Sequence, residues 1–167
     1  MDADAYNLVM LFARLSFGFM FIYHGRGKFK SGIEGTASWF ESMGMKPGML
    51  NARAAIATEI GAGVLMVLGL LTSLAATAMV AVMLVAAITT HVKHGFSIMA
   101  EGWEYVYIIS VGAIMIATFG PGEWSVDNQL DIITDLNGWT GLLLASVGGV
   151  VGGAAQLAAF YRPPAAE

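Results

Sequence analysis

Long apolar stretches alternate with short polar segments along the whole chain. Five stretches approach the roughly 20 residues that a membrane-spanning helix needs, and they cover residues 6–24, 54–71, 74–91, 104–119 and 139–160. Only Thr72 and Ser73 separate the second stretch from the third, which predicts a tight antiparallel hairpin. No positively charged segment precedes the first stretch, so we interpret it as a retained span and not as a signal peptide. The pattern therefore predicts an all-α integral membrane protein with five spans.

The fifth stretch differs from the others because it has no charged residue and many small ones. Small residues at helical spacing let the backbones of membrane helices approach closely. They indicate either packing within the monomer or docking of another chain, and the sequence favours neither. The docking candidates are Gly141, Ala145, Gly148, Gly149, Gly152 and Gly153. The predicted fold is a four-helix transmembrane bundle with an outer acidic loop (1–137), a fifth Gly-rich transmembrane helix (138–162) and a tail (163–167).

Composition excludes several classes of protein. Of the 167 residues, 57% are hydrophobic and 12% are charged, whereas soluble domains carry about 25% charged residues. A net charge of −4, with no long basic run, argues against nucleic-acid binding. The lack of cysteine excludes disulfides, thiolate chemistry and Cys-ligated zinc or iron–sulfur clusters on this chain. Redox work would therefore need another chain or a bound cofactor.

The charges between the predicted spans are sharply segregated. With five spans, the loops 25–53 and 92–103 and the C-terminal tail share one side, which carries Arg26, Lys28, Lys30, Lys46, Arg53, Lys93 and Arg162. The opposite side has no Lys or Arg and carries Asp2, Asp4, Glu123, Asp127, Asp131 and Asp135. The positive-inside rule then predicts that the N-terminus is outside and the C-terminus cytoplasmic, in a multi-pass protein of the cell inner membrane.

Ionisable residues in and beside the spans are the candidates for chemistry, because such groups are expensive in a bilayer and call for partners or a function. We expect a polar pocket near the cytoplasmic interface and an Arg14–Glu59 ion pair within it. The candidate residues are Arg14, His24, Lys28, Glu59, His91 and Glu104. Such a pocket suits the carbonyls and ring of a quinone head group, and His or Glu side chains can transfer protons.

Structural explanations compete with this pocket. An Arg14–Glu59 pair is as well explained as a link that holds two helices in register, and Lys28 is better explained as an interfacial charge whose head group reaches water. His91 and His94 stand three residues apart, but two His without a carboxylate at fixed spacing are a weak metal signal. We therefore predict no metal site.

In order along the chain, these residues resemble the DoxX family of small membrane proteins. The matching pieces lie between about residues 8 and 127, and each alone is weak, whereas their order and spacing together are fairly specific. They are Arg14, His24-Gly25-x-x-Lys28, Trp39-Phe40-x-x-x-Gly44, Glu59-x-Gly61, Leu68-Gly69-Leu70-Leu71-Thr72, His91, Glu104-Tyr105 and Gly120-Pro121-Gly122-x-x-Ser125-x-Asp127.

The resemblance implies a four-helix membrane core, to which the fifth helix is an addition. Relatives include the small subunit of a thiosulfate:quinone oxidoreductase, and a mycobacterial member associates with redox partners at the membrane. The first functional hypothesis is therefore a small integral membrane subunit of a quinone-linked oxidoreductase complex, with quinone as its non-covalent ligand. The alternative is a non-catalytic accessory or assembly subunit of a larger membrane complex. Both hypotheses imply contact with the lipid bilayer and with other membrane or redox subunits.

Overall fold

A computed structural model describes residues 2–131 and 136–163, and within these residues it contains helices and no β-strand. Asp135 of the predicted acidic loop and residues 164–167 of the predicted tail lie outside the described residues. The helices are α1 (Ala3–Lys30), α2 (Ile33–Ser42), α3 (Gly48–Leu68), α4 (Thr72–His94, ending in π and 3₁₀ turns), α5 (Glu104–Phe119), α6 (Val126–Gln129) and α7 (Gly138–Phe160, with a π turn at Leu144–Gly148). The prediction of an all-helical protein is confirmed.

Four of these helices, α1, α3, α4 and α7, are long and apolar enough to cross a membrane. The fifth apolar helix, α5, has 16 residues and is shorter than a typical span. The chain is therefore a membrane protein with several membrane-spanning helices. Five crossings and the direction of the termini remain predictions.

The turn between α3 and α4 is tight, but it lies earlier than predicted. Gly69 adopts a left-handed conformation (φ +65°) that ends α3, because glycine has no Cβ to oppose it. Thr72 and Ser73 already belong to α4. The start of α4 is stabilised from a distant segment, since the Asp127 carboxylate accepts hydrogen bonds from the backbone N–H groups of Leu71 and Thr72.

Close backbone contacts hold the helices together. The antiparallel helices α1 and α3 form the most extensive helix–helix contact among the described residues. The two backbones are close together where Gly18 meets Gly63, since a Cβ added at Gly63 would lie 2.7 Å from the Gly18 carbonyl oxygen. Helix α4 lies at the centre and packs against α3, α5 and α7. Its Met79 and Ala76 are completely buried, and Met66 of α3 is buried with them. The core is therefore filled by small residues and by methionine, which adapts to irregular space.

The small residues of α7 contact the same chain. A Cβ at Gly141 would lie 2.0 Å from the Ala117 carbonyl oxygen of α5, and a Cβ at Gly149 would lie 2.6 Å from Val80 Cβ of α4. Four of the docking candidates form this buried face: Gly141, Ala145, Gly149 and Gly153. The other two, Gly148 and Gly152, are not buried, and an added Cβ there would meet only ordinary contacts of 3.4 and 3.7 Å. For four of the six residues, the structure thus supplies an internal partner.

The charges lie at two opposite ends of the bundle. We call the end with the α1–α2 turn, the α4–α5 loop and the C-terminus of α7 the basic end. The other, which contains the α3–α4 turn and α6, is the acidic end. At the basic end the backbone N–H of Arg162 donates to the Gly44 carbonyl. At the acidic end the Asn7 side chain donates to Glu123. These contacts hold distant parts of the chain together at each end.

Candidate functional site

A cavity of about 470 Å³ lies within the helices toward the basic end. Residues of α1 to α5 and of α7 line it, and most of the lining is apolar, including Phe21, Phe40, Met83 and Ile109. Its volume is within the range of roughly 300–1,000 Å³ that is typical of small-molecule sites. Trp39 and Leu50 also line the cavity and are about half exposed, so the cavity opens beside α2 and the start of α3.

An ion pair with a buried carboxylate forms part of the cavity wall. Lys28 Nζ of α1 lies 2.7 and 2.8 Å from the two carboxylate oxygens of Glu59 on α3. Glu59 is only 5% exposed. Gly25 makes this approach possible, because a Cβ there would lie 2.7 Å from Ile60 Cγ1 and 3.1 Å from Glu59 Cβ. Gly25 thus lets α1 approach α3 closely, and Lys28, about one turn further along α1, reaches Glu59.

Two histidines line the same cavity, and each has a hydrogen-bond partner. His24 Nε2 lies 3.0 Å from the Tyr105 hydroxyl of α5. His91 Nδ1 lies 2.7 Å from the Glu101 carbonyl oxygen. A carbonyl only accepts, so His91 Nδ1 carries the proton and Nε2 has a lone pair in the neutral ring. These rings therefore add proton donors and acceptors to the Lys28–Glu59 wall.

The predicted Arg14–Glu59 ion pair is wrong. Arg14 is 1% exposed and lies toward the acidic end, where its guanidinium donates to the carbonyl oxygens of Val67 and Trp124. The reason is the register of two long helices. Helix α1 continues to Lys30, so Arg14 lies about 21 Å along its axis from Lys28, and it is Lys28 that reaches Glu59.

Glu104 does not line the cavity either. Its carboxylate accepts a hydrogen bond of 2.9 Å from the backbone N–H of Ile98, so it shapes the loop between α4 and α5. Of the six candidate residues, the structure brings together His24, Lys28, Glu59 and His91. Arg14 and Glu104 contribute at other places.

Two amide side chains in the cavity were missed by the sequence analysis. Asn51 of α3 and Gln156 of α7 both line it, and Gln156 Nε2 donates to Asn51 Oδ1 at 3.4 Å. The available signal was that Gln156 is the lone polar side chain between Gly149 and Phe160, since a polar group within a span usually has a partner. Reasoning about ionisable groups alone overlooked it.

A second, more open cavity of about 530 Å³ adjoins the first. Both are lined by His24, Lys28 and Trp39, and the second is also bounded by Ser31 and Thr36 at the α1–α2 turn. Lys28 therefore lies where the inner cavity meets the more open one. Within residues 2–131 and 136–163, no three His, Asp or Glu side chains are grouped as metal ligands.

Comparison with known proteins gives one match. No curated protein and no solved structure is significantly similar to the chain. The DoxX family model matches residues 9–92, which is about half of the chain. The matched region includes His24, Lys28, Glu59 and His91, whereas Tyr105 and all of α7 lie beyond it. The chain belongs to the DoxX family of small membrane proteins.

Proposed function

We propose that this protein is the quinone-binding membrane subunit of an oxidoreductase complex. One observation carries the proposal: an apolar cavity inside membrane helices has in its wall two histidines and an ion pair between Lys28 and the buried Glu59. A hydrophobic ligand with a polar head group matches such a site, because apolar walls hold its ring and a few placed polar groups orient it.

The residues divide the work by their chemistry. Quinone carbonyl oxygens accept hydrogen bonds, and Lys28 Nζ and the Tyr105 hydroxyl are donors at the cavity wall. Glu59, His24 and His91 exchange protons with the head group. The open cavity beside Lys28 supplies those protons from water. The electrons come from a redox cofactor on a partner subunit, since this chain has no cysteine to ligate an iron–sulfur cluster.

The same proposal includes an orientation. Five crossings place the N-terminus outside and the basic end at the cytoplasmic face of the bacterial inner membrane. The cavity then opens toward the cytoplasm. The seven Lys and Arg residues outside the predicted spans all belong to the basic end, and this supports the arrangement.

An accessory role is the second candidate, and the outer face of α7 favours it. Val147 and Val151 are more than half exposed there, beside the open Gly152. A neighbouring subunit would find an apolar face with small residues, which suits close helix packing in membranes. In that case the Lys28–Glu59 pair only joins α1 to α3.

Quinone binding to the purified protein distinguishes the two roles. Trp39 lines the cavity, and quinones quench indole fluorescence, so a titration in lipid nanodiscs reports binding. We expect saturable quenching for the wild type and a loss of affinity of about tenfold for Lys28→Met, since a charge-assisted hydrogen bond from Lys28 Nζ to a quinone carbonyl is worth about 1.5 kcal/mol or more. Lys30→Met is the matched control, because Lys30 is exposed on the same helix and lines neither cavity, and it should bind as the wild type does.

A double variant that removes both charges serves as the control for folding. Lys28→Met leaves the buried Glu59 carboxylate without its ammonium partner, which is destabilising, whereas the double variant Lys28→Met/Glu59→Gln removes that charge. The double variant should recover wild-type thermal stability and still bind quinone weakly. A wild-type protein without saturable quenching would refute the quinone role. The accessory role would then be the better account.

A further inference from the structure

The cavity has a second hydrogen-bonding point, far from the Lys28–Glu59 pair. Asn51 is 1% exposed, and its Nδ2 donates to the Pro47 carbonyl oxygen at 2.9 Å. Its Oδ1 accepts from Gln156 Nε2. On α3, Asn51 precedes Glu59 by eight residues, which is about 12 Å along the helix axis. Apolar side chains of α4, such as Val82 and Met83, line the cavity as well.

The hydrogen bonds fix which atoms this point offers to a ligand. The Pro47 carbonyl only accepts, so Asn51 must turn its nitrogen toward it and its oxygen toward Gln156. Gln156 in turn presents its nitrogen to Asn51. Each amide nitrogen carries two hydrogens, and these bonds use one of them. The pair is therefore suited to donate to a ligand that has acceptor oxygens at that end.

The packing of α7 explains how Gln156 reaches this position. Gly149 and Gly153 pack closely against α4. A Cβ added at Gly149 would lie 2.6 Å from Val80 Cβ, and a Cβ added at Gly153 would lie 3.1 Å from Leu84 Cβ. Gln156 follows Gly149 by seven residues, two helical turns along the same face. The glycines thus bring α7 close to α4, and the next turn of that face contributes Gln156 to the cavity.

We propose that Asn51 and Gln156 bind the far edge of the quinone ring and so select a benzoquinone with oxygen substituents over a naphthoquinone. This inference rests on the proposed function, and it names the ligand class of the same site. Methoxy oxygens on a benzoquinone ring accept hydrogen bonds. The fused ring of a naphthoquinone presents only C–H groups at that edge, and the amide donors gain nothing from it. The helix outside the family match therefore determines which quinone binds.

The test titrates two short-chain quinones, a dimethoxybenzoquinone and a naphthoquinone, into nanodiscs that hold the full chain. Gln156→Met keeps the length of the side chain and removes its donor. We expect its affinity for the dimethoxybenzoquinone to fall about 3- to 10-fold, the value of one or two hydrogen bonds. Its affinity for the naphthoquinone should stay within about twofold, which also shows that the cavity is intact. Ser146→Ala is the control, since this α7 hydroxyl bonds to the Leu142 carbonyl of its own helix.

The outcomes separate this inference from the proposed function. Equal losses for both quinones, or no loss for either, would overturn the role of Gln156 while leaving quinone binding in place. If the wild type binds neither quinone, both proposals fail. If Gln156→Met does not fold, Gln156→Leu is measured in its place with the same two ligands and the same criterion.

Discussion

Buried polar groups occur at both ends of the bundle, and they are used differently. At the acidic end, the buried charged side chains bond mainly to the backbone: Arg14 donates to two carbonyl oxygens, and Asp127 accepts from the N–H groups of Leu71 and Thr72. At the basic end, three pairs of side chains bond to each other around a cavity: Lys28 with Glu59, His24 with Tyr105, and Gln156 with Asn51. Bonds to backbone groups close helix ends and leave no room for a ligand. Side-chain pairs beside a cavity leave space for one.

This difference separates structural charges from functional ones. Composition alone treats Arg14 and Lys28 alike, as basic residues on the first helix. The partners of each side chain distinguish them, because a carbonyl oxygen at a helix end needs a donor whatever the function of the protein. A side chain that faces an apolar cavity has no such structural need. The following predictions test this contrast.

The largest effect is expected from Asp127→Asn at the acidic end. Asp127 accepts three hydrogen bonds, from Leu71 N, Thr72 N and Thr72 Oγ1, at 2.7 to 2.9 Å. An amide in this place would turn a donor toward other donors, and we expect the free energy of unfolding to fall by about 3 kcal/mol. Unfolding in a denaturing detergent measures it.

Asp131→Asn is the matched control, because Asp131 is exposed in the same segment and Asn tolerates its left-handed backbone. It should change the stability by less than about 0.5 kcal/mol. Quinone affinity at subdenaturing conditions should be the same for both variants. A selective loss of quinone binding in Asp127→Asn, with stability unchanged, would contradict the division between the two ends.

An intermediate loss of stability is expected from a substitution in α7, the helix that contributes Gln156 to the cavity. In Gly149→Ala, the new Cβ would lie 2.6 Å from Val80 Cβ, and overpacking of this kind costs about 1–3 kcal/mol. Gly148→Ala meets a nearest contact of 3.4 Å, and it should be neutral or slightly stabilising because alanine favours helix. Thermal unfolding compares the two. Equal destabilisation by both variants would show that α7 packs differently.

The mildest substitutions test on which side of the membrane each end of the bundle lies. The chain has no cysteine, so single cysteines at exposed Asp4 and Lys30 report each end alone. With the predicted orientation, a membrane-impermeant maleimide added to intact cells should label Asp4→Cys and leave Lys30→Cys unlabelled. Labelling after lysis confirms that both are reactive. The reverse pattern would refute the orientation, with stability unaffected in either case.

Several features of the fold were predictable from local sequence. Apolar length predicted the long helices, and the restriction of the Lys and Arg residues between the spans to one side predicted that one end of the bundle carries them. The structure places four of the candidate residues, His24, Lys28, Glu59 and His91, around one cavity. Their role in quinone binding stays a prediction. These predictions depend on two properties that can be read along the chain. One is the length of each apolar stretch, and the other is that successive connecting segments lie at opposite ends of the helices.

The partner of Arg14 could not be predicted in the same way. The antiparallel register of α1 and α3 follows from where Gly18 meets Gly63, and a shift of one turn along either helix would bring different side chains together. Sequence spacing gives a position along a helix but not the register against its neighbour. The expected Arg14–Glu59 pair failed for this reason, although both residues lie within long apolar helices, as expected.

The sequence by itself determined that this is a helical membrane protein of the DoxX family with a basic and an acidic end, because hydrophobic length and charge order are properties of the chain. Only the tertiary structure decided which polar groups meet. It paired Lys28 with Glu59, and it brought Gln156 of the last helix beside Asn51. These contacts join residues far apart in the chain, and they depend on how closely glycines let one helix approach another.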